Sequence, residues 1–60
     1  MKKWLIYDAR YRTDEDRAIC LLFCDSLQEA RREAPEYGDE NVIVEATIVG
    51  KEIVSEKIVN

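Results

Sequence analysis

The stretch Ala18-Ile19-Cys20-Leu21-Leu22-Phe23-Cys24 is apolar without a break, and its conformation decides the fold of this chain. Hydrophobic periodicity does not settle that conformation, because a short continuous apolar run fits a buried strand and a segment of buried helix equally well. The residues on either side of the stretch support two layouts, which differ only in the middle third of the chain.

In the first layout, residues 17–24 form a strand and a short helix begins at Asp25 or Ser26. Ser26 and Glu29 have the S-x-x-E spacing of a capping box, in which each side chain satisfies a backbone donor in the first turn of a helix. Pro35 then ends the helix.

In the second layout, a single helix covers residues 14–34, with Thr13 as its N-cap. The acidic residues of its first turn and the arginines of its last turn would suit the helix dipole. We favour the first layout, because a capping box would be an odd interruption inside a long helix. The strand expected at residues 4–11 also needs an antiparallel neighbour, which a hairpin through residues 12–16 supplies.

Two further strands are indicated by composition at residues 41–49 and 52–59, with a turn at Gly50-Lys51 between them. The expected fold class is therefore α+β, a small ββαββ domain. Its antiparallel sheet would carry one short helix packed on one face.

The register of the C-terminal hairpin stays open between two possibilities. A two-residue loop pairs Val49 with Glu52, which suits the tight turn but places Glu45 opposite Glu56. A slip of one residue pairs Glu45 with Lys57 instead, and cross-strand chemistry favours that arrangement.

The length of 60 residues is enough for one domain, so residues 1–60 are expected to fold as a single unit. A domain of this size buries only about 60% of the surface that its unfolded chain exposes, and its margin of stability is thin. The sequence shows no secretory leader and no apolar run as long as a membrane span. The expected location is the cytoplasm, without a membrane partner.

The two cysteines, Cys20 and Cys24, are expected to be core side chains. On a strand their Cα atoms would lie about 13 Å apart, whereas a disulfide needs a separation of about 7 Å or less. Two thiols do not complete the four-ligand shell of a structural zinc ion, and the chain has no histidine to add. Free thiols of this kind indicate a reducing compartment.

The sequence offers few residues suited to catalysis, and we expect that the protein is not an enzyme and binds no cofactor. Without histidine the chain lacks the commonest general base near neutral pH and the imidazole of a catalytic triad. Asp14, Glu15 and Asp16 lack the spacing and the central glycine of a calcium loop, so we expect a solvated turn there. The sequence therefore indicates no catalytic, cofactor-binding or metal-binding residue.

The net charge of −4 is concentrated in the second half of the chain. Residues 33–60 hold two Lys/Arg against seven Asp/Glu, whereas residues 1–32 hold seven against six. An acidic surface argues against general nucleic-acid binding, which depends on neutralising phosphates. Strand alternation also separates Trp4 from Tyr7 and Tyr11, which divides the aromatic platform that single-stranded nucleic acid would need.

The apolar strand has no polar face. Alternation places one set of side chains on one face, Ile19, Leu21 and Phe23, and the other set on the opposite face, Ala18, Cys20, Leu22 and Cys24. One short helix covers only one side of a sheet, so the second side needs another cover. We expect a protein partner to supply it, most economically a second copy in a homodimer. The candidate interface residues are Trp4, Tyr7, Ala18, Cys20 and Leu22.

The sequence therefore predicts a small non-enzymatic binding module that acts through protein–protein contacts and associates with itself. One alternative is an acidic protein that occupies the nucleic-acid-binding surface of a basic partner. A second alternative is direct nucleic-acid binding through the N-terminal half, where most of the basic residues lie.

Overall fold

The computed structural model describes residues 1–13, 18–38 and 40–59, and it confirms the α+β fold with the order ββαββ. The strands and the helix are β1 (Lys2–Tyr7), β2 (Cys20–Cys24), α1 (Leu27–Glu33), β3 (Val42–Val49) and β4 (Glu52–Ile58). Two 3₁₀ helices lie at Ala9–Arg12, between β1 and β2, and at Ala34–Tyr37, directly after α1. The four strands form one antiparallel sheet in the order β2-β1-β3-β4.

The second layout, a single helix over residues 14–34, is wrong, because Cys20–Cys24 is a strand. β2 pairs with β1, which satisfies the backbone of the apolar stretch through sheet hydrogen bonds rather than helical ones. Residues 14–17, which contain the predicted acidic turn and most of the predicted hairpin loop, lie outside the described residues.

The predicted capping box starts α1. The Ser26 hydroxyl oxygen accepts a hydrogen bond from the Glu29 backbone N–H at 3.1 Å. In return, the Glu29 carboxylate accepts from the backbone N–H of Asp25 at 2.9 Å, one residue before the N-cap. Pro35 follows at the start of the second 3₁₀ helix, where the α-helical ladder ends.

The main hydrophobic core lies between α1 and one face of the sheet, here called the helix face. Its buried members come from three strands, α1 and the start of the second 3₁₀ helix: Ile6, Cys24, Ala30, Ala34 and Ile43. Half-buried side chains pack around them: Trp4, Leu21, Leu22, Leu27 and Val59. Ala30 of α1 and Ala34, its C-cap, are small enough to let α1 lie close to the sheet.

A β-bulge changes the expected alternation of β2. Ile6 pairs with Leu22, but the next residue of β1, Tyr7, pairs with Cys20, so Leu21 is an extra residue on its strand. Leu21 and Leu22 therefore both pack against the core under α1, and Cys20 shares the face of Tyr7. The predicted separation of Leu21 from Leu22 was wrong for this reason.

A second bulge, in β4, satisfies both of the registers that the sequence left open. Val49 pairs with Glu52 across the tight turn, as the two-residue loop requires. Beyond an irregularity at Val54, Glu45 pairs with Lys57, as the slipped register requires. Gly50 has a φ of 62°, which suits the first central position of a type II′ turn.

The face of the sheet opposite α1, here called the second face, is also buried at its centre. Its central side chains are completely inaccessible to solvent: Leu5, Val42, Val44 and Ala46 are each 0% exposed. The 3₁₀ helix Ala9–Arg12 contacts β3 on this side. Its Tyr11 ring lies 4.7 Å from the Tyr7 ring, and its hydroxyl donates a hydrogen bond to Glu56 at 2.7 Å. The expectation that only a partner was left to cover this face overlooked the connection between β1 and β2.

Candidate functional site

β4 is the least covered element of the described chain. It forms one edge of the sheet, and all seven of its residues are exposed. Three of them are large and apolar: Ile53 is 43% exposed, Val54 56% and Ile58 42%. The other edge strand, β2, is shorter and has a mostly half-buried pattern that ends in buried Cys24. Phe23 of β2 is 62% exposed, but of the two edges β4 is the longer and is exposed along its whole length.

The position of β4 in the sheet explains this exposure. α1 packs on β1, β2 and β3, and the 3₁₀ helix Ala9–Arg12 packs on β3. α1 therefore lies over the centre and the β2 side of the helix face, and the 3₁₀ helix reaches β4 on the second face through the hydrogen bond from Tyr11 to Glu56. On the outer side of β4, the backbone groups that point away from β3 have no neighbouring strand among the described residues. This is the arrangement that lets a sheet edge template another strand.

Apolar side chains that are exposed or half-buried continue from β4 onto the rest of the sheet: Met1 is 76% exposed and Ile48 is half-buried. Met1 and Ile48 are joined by two backbone hydrogen bonds, of 3.0 Å and 2.7 Å, and Ile48 pairs with Ile53. Val49, which is 63% exposed, closes the hairpin on the helix face. We use the name β4 surface for this set: Met1, Ile48, Val49, Ile53, Val54 and Ile58.

Charged side chains lie among the apolar ones on β4: Glu52, Glu56 and Lys57. Lys57 lies 3.9 Å from the carboxylate of Glu45, which Lys2 also approaches at 3.5 Å. Glu56 accepts the hydrogen bond from Tyr11. Glu52 forms no ion pair with any residue of the described ranges. The strand thus offers both signs of charge, and Glu52 is available to a partner.

The five side chains proposed from the sequence as an interface do not share one surface. Trp4 and Leu22 pack against the core under α1. Tyr7 and Cys20 pair with each other on the second face, where Tyr7 contacts Tyr11. Ala18 is half-buried and precedes β2. The structure therefore brings Tyr7 and Cys20 together but leaves the other three apart from them.

The exposed residues of β4 were missed because their composition is that of any strand. Ile53-Val54 and Ile58-Val59 would suit a central strand equally well. Only the order of strands in the sheet makes β4 an edge. The available signal was the pattern of charges, since Glu52, Glu56 and Lys57 leave few positions of this strand for a dry core.

The two cysteines are free, and their environment makes them weak nucleophiles. Burial raises the pKa of the Cys24 thiol, and the nearby carboxylates of Glu29 and Glu33 raise it further. Burial also raises the pKa of the Cys20 thiol, against a weaker opposing effect of its hydrogen bond to the Leu22 carbonyl. A raised pKa keeps both groups as thiols at neutral pH, whereas thiolate is the reactive form.

The predicted separation of Trp4 from Tyr7 and Tyr11 is confirmed, since Trp4 packs under α1 while Tyr7 of β1 and Tyr11 of the first 3₁₀ helix lie on the second face. Within the described ranges, no three acidic or thiol side chains are grouped as metal ligands would be. None of the helices in this part of the chain has the length and apolar character needed to cross a membrane.

Comparisons with protein-family models, with curated proteins and with solved structures found no match for the chain.

Proposed function

We propose that this protein is a small non-enzymatic binding module that acts through protein–protein contacts and associates with itself through the β4 surface. The observation that carries the proposal is the exposure of β4 along its whole length, with Ile53, Val54 and Ile58 each more than two-fifths exposed. An exposed strand edge with apolar side chains is a common site of strand addition.

The rest of the sheet supports this choice of surface. Side chains on both faces of β1 and β3 are already buried within the chain. α1 packs on the helix face, and the 3₁₀ helix Ala9–Arg12 packs on the second face. A partner therefore gains most by covering the β4 side. Burial of apolar area contributes about 25 cal/mol per Å² before the costs of association, so a small module benefits from covering these side chains.

Sedimentation velocity across a wide concentration range tests the proposal. We expect the sedimentation coefficient to rise with concentration from that of a 7.0 kDa monomer to that of a dimer. Val54→Lys should weaken the association at least about tenfold, because it places a charge in the interface core. Gln28→Lys, on the exposed part of α1, is the control and should associate like the unmodified protein. A monomer at every concentration would contradict self-association.

A further inference from the structure

We infer that β4 pairs antiparallel with β4 of a second copy, about a two-fold axis that passes between Val54 and Ser55. This inference rests on the proposed function, and it names the partner strand and its register. The two sheets would join into one continuous sheet of eight strands, with both α1 helices on the same side.

The bulge in β4 makes the strand symmetric about this axis. Paired residues share a face, so Glu52 and Lys57, which pair with Val49 and Glu45, lie on the helix face. Ile53 pairs with Ile48 and Glu56 pairs with Ala46, so Ile53 and Glu56 lie on the second face. Moving away from the axis in either direction, a residue on the second face (Ile53 or Glu56) is followed by one on the helix face (Glu52 or Lys57).

Without the bulge, an axis between two neighbouring residues would place opposite faces against each other, because side chains alternate along a regular strand. With the bulge, Ile53 meets Glu56 of the second copy on the second face. Glu52 meets Lys57 of the second copy on the helix face. The irregularity at Val54 thus lies at the centre of a matched pair of strands.

Charge complementarity selects the same register. It places Glu52 opposite Lys57 of the second copy twice, once on each side of the axis, and opposite charges stabilise such cross-strand pairs. An axis at Val54 would instead oppose Glu52 to Glu56, and an axis at Glu56 or at Lys57 would oppose that residue to itself. An axis at Ser55 would pair Ile53 with Lys57, which lie on different faces.

The backbone groups agree with this arrangement. The Val59 N–H donates to the Ile43 carbonyl at 2.9 Å, so alternation directs the N–H and C=O of Glu56 away from β3. Glu52 closes the turn with Val49, and alternation then directs the N–H and C=O of Ile53 outward as well. Ile53 and Glu56 are the residues that the two-fold register pairs, so each copy offers its free donors and acceptors to the other.

Charge reversal tests the register. Glu52→Lys and Lys57→Glu should each raise the dimer dissociation constant about tenfold or more, because each turns both attractive pairs into repulsive ones. Because Lys57 also pairs with Glu45 within each copy, the variants are compared in a Glu45→Gln background. In that background the double variant Glu52→Lys/Lys57→Glu should recover the affinity of the parent to within about threefold, since the pairs between copies are restored with their signs exchanged. Sedimentation velocity supplies the dissociation constants, and circular dichroism verifies that each variant is folded.

Mixing the two single variants is the sharper arm of the experiment. One copy would then carry lysine at positions 52 and 57 and the other glutamate at both, so the heterodimer alone has attractive pairs. With one variant labelled with ¹⁵N, native mass spectrometry should show the heterodimer well above the half expected from random pairing.

Two exposed positions outside the sheet supply matched controls, Glu36→Lys and Arg31→Glu. They change the net charge equally and should leave dimerisation unaltered. Single reversals that dimerise as tightly as the unmodified protein, with random pairing in the mixture, would overturn the register but leave self-association standing. An unmodified protein that stays monomeric would overturn both this inference and the proposed self-association.

Discussion

Leu5→Ala is expected to lower the free energy of unfolding by about 2–5 kcal/mol, the usual cost of truncating a buried leucine. Leu5 is 0% exposed and lies on the second face, between Phe23 of β2 and Val44 of β3. A 60-residue domain has a total stability of about 3–9 kcal/mol. The substitution should therefore leave much of the protein unfolded at moderate temperature. Urea denaturation followed by circular dichroism measures the loss.

The matched control for this prediction is Phe23→Ala. Phe23 pairs directly with Leu5 and so lies on the same face, but it is 62% exposed. Its truncation should cost less than about 1 kcal/mol, as is usual for surface positions. Comparing Leu5→Ala with Phe23→Ala shows whether the chain itself buries the second face or whether a partner is needed to bury it. Equal and small losses in the two variants would contradict the first arrangement.

Alkaline conditions are expected to destabilise the fold through three groups whose pKa values are raised in the same direction. Burial is the largest cause for each of them: the phenol of Tyr7 and the thiols of Cys20 and Cys24. A raised pKa means that the folded state holds the proton more tightly than the unfolded state. The resulting stability is complete below the unfolded pKa and is lost as the pH rises through the folded pKa.

The pH range in which this stability is lost begins near the ordinary pKa values, 9.0 for the thiols and 10.0 for the phenol. Above pH 9 the free energy of unfolding should therefore fall, with each group adding a slope of up to about 1.4 kcal/mol per pH unit. Urea denaturation at pH 7, 9 and 10.5 measures the fall. The variant with Tyr7→Phe, Cys20→Ala and Cys24→Ala should be less stable at neutral pH but should lose less on going to alkaline pH. An unmodified protein with constant stability across this range would disprove the linkage.

The layout of the middle of the chain was predictable because its signals are local. The spacing of Ser26 and Glu29 specifies where a helix starts, and Pro35 specifies where it ends. These signals favour a strand followed by a short helix over a long helix through the apolar stretch, and β2 with α1 is what the structure contains. Both depend on residues that are near one another in sequence.

The two bulges were beyond the reach of sequence patterns, because each arises from a conflict between correct signals. The turn at Gly50 favours one register of the last hairpin, and the charges of Glu45 and Lys57 favour the other. Leaving Val54 as an extra residue satisfies both at the cost of one regular pair. The sequence supplied the two preferences but not the way in which the strand reconciles them.

The cover of the second face and the identity of the edge strands depend on contacts between distant residues. Tyr11 and Glu56, which anchor the 3₁₀ helix on this face, are 45 residues apart. The strand order β2-β1-β3-β4 places β1 between β2 and β3, so the last strand becomes an edge. The candidate interface therefore lies on β4 and not on the apolar stretch. No local sequence pattern indicates the cover of the second face or the identity of the edge strand.

Amide hydrogen exchange at two protein concentrations tests most directly whether β4 is the contact surface between copies. The backbone N–H groups of Ile53 and Glu56 point away from β3, so only pairing with another strand should slow their exchange. We expect both amides to exchange slowly in concentrated solution and quickly after dilution, while the amide of Ile6 in β1 stays unchanged. Exchange of the β4 amides that does not depend on concentration, or a concentration effect confined to β2, would contradict the claim.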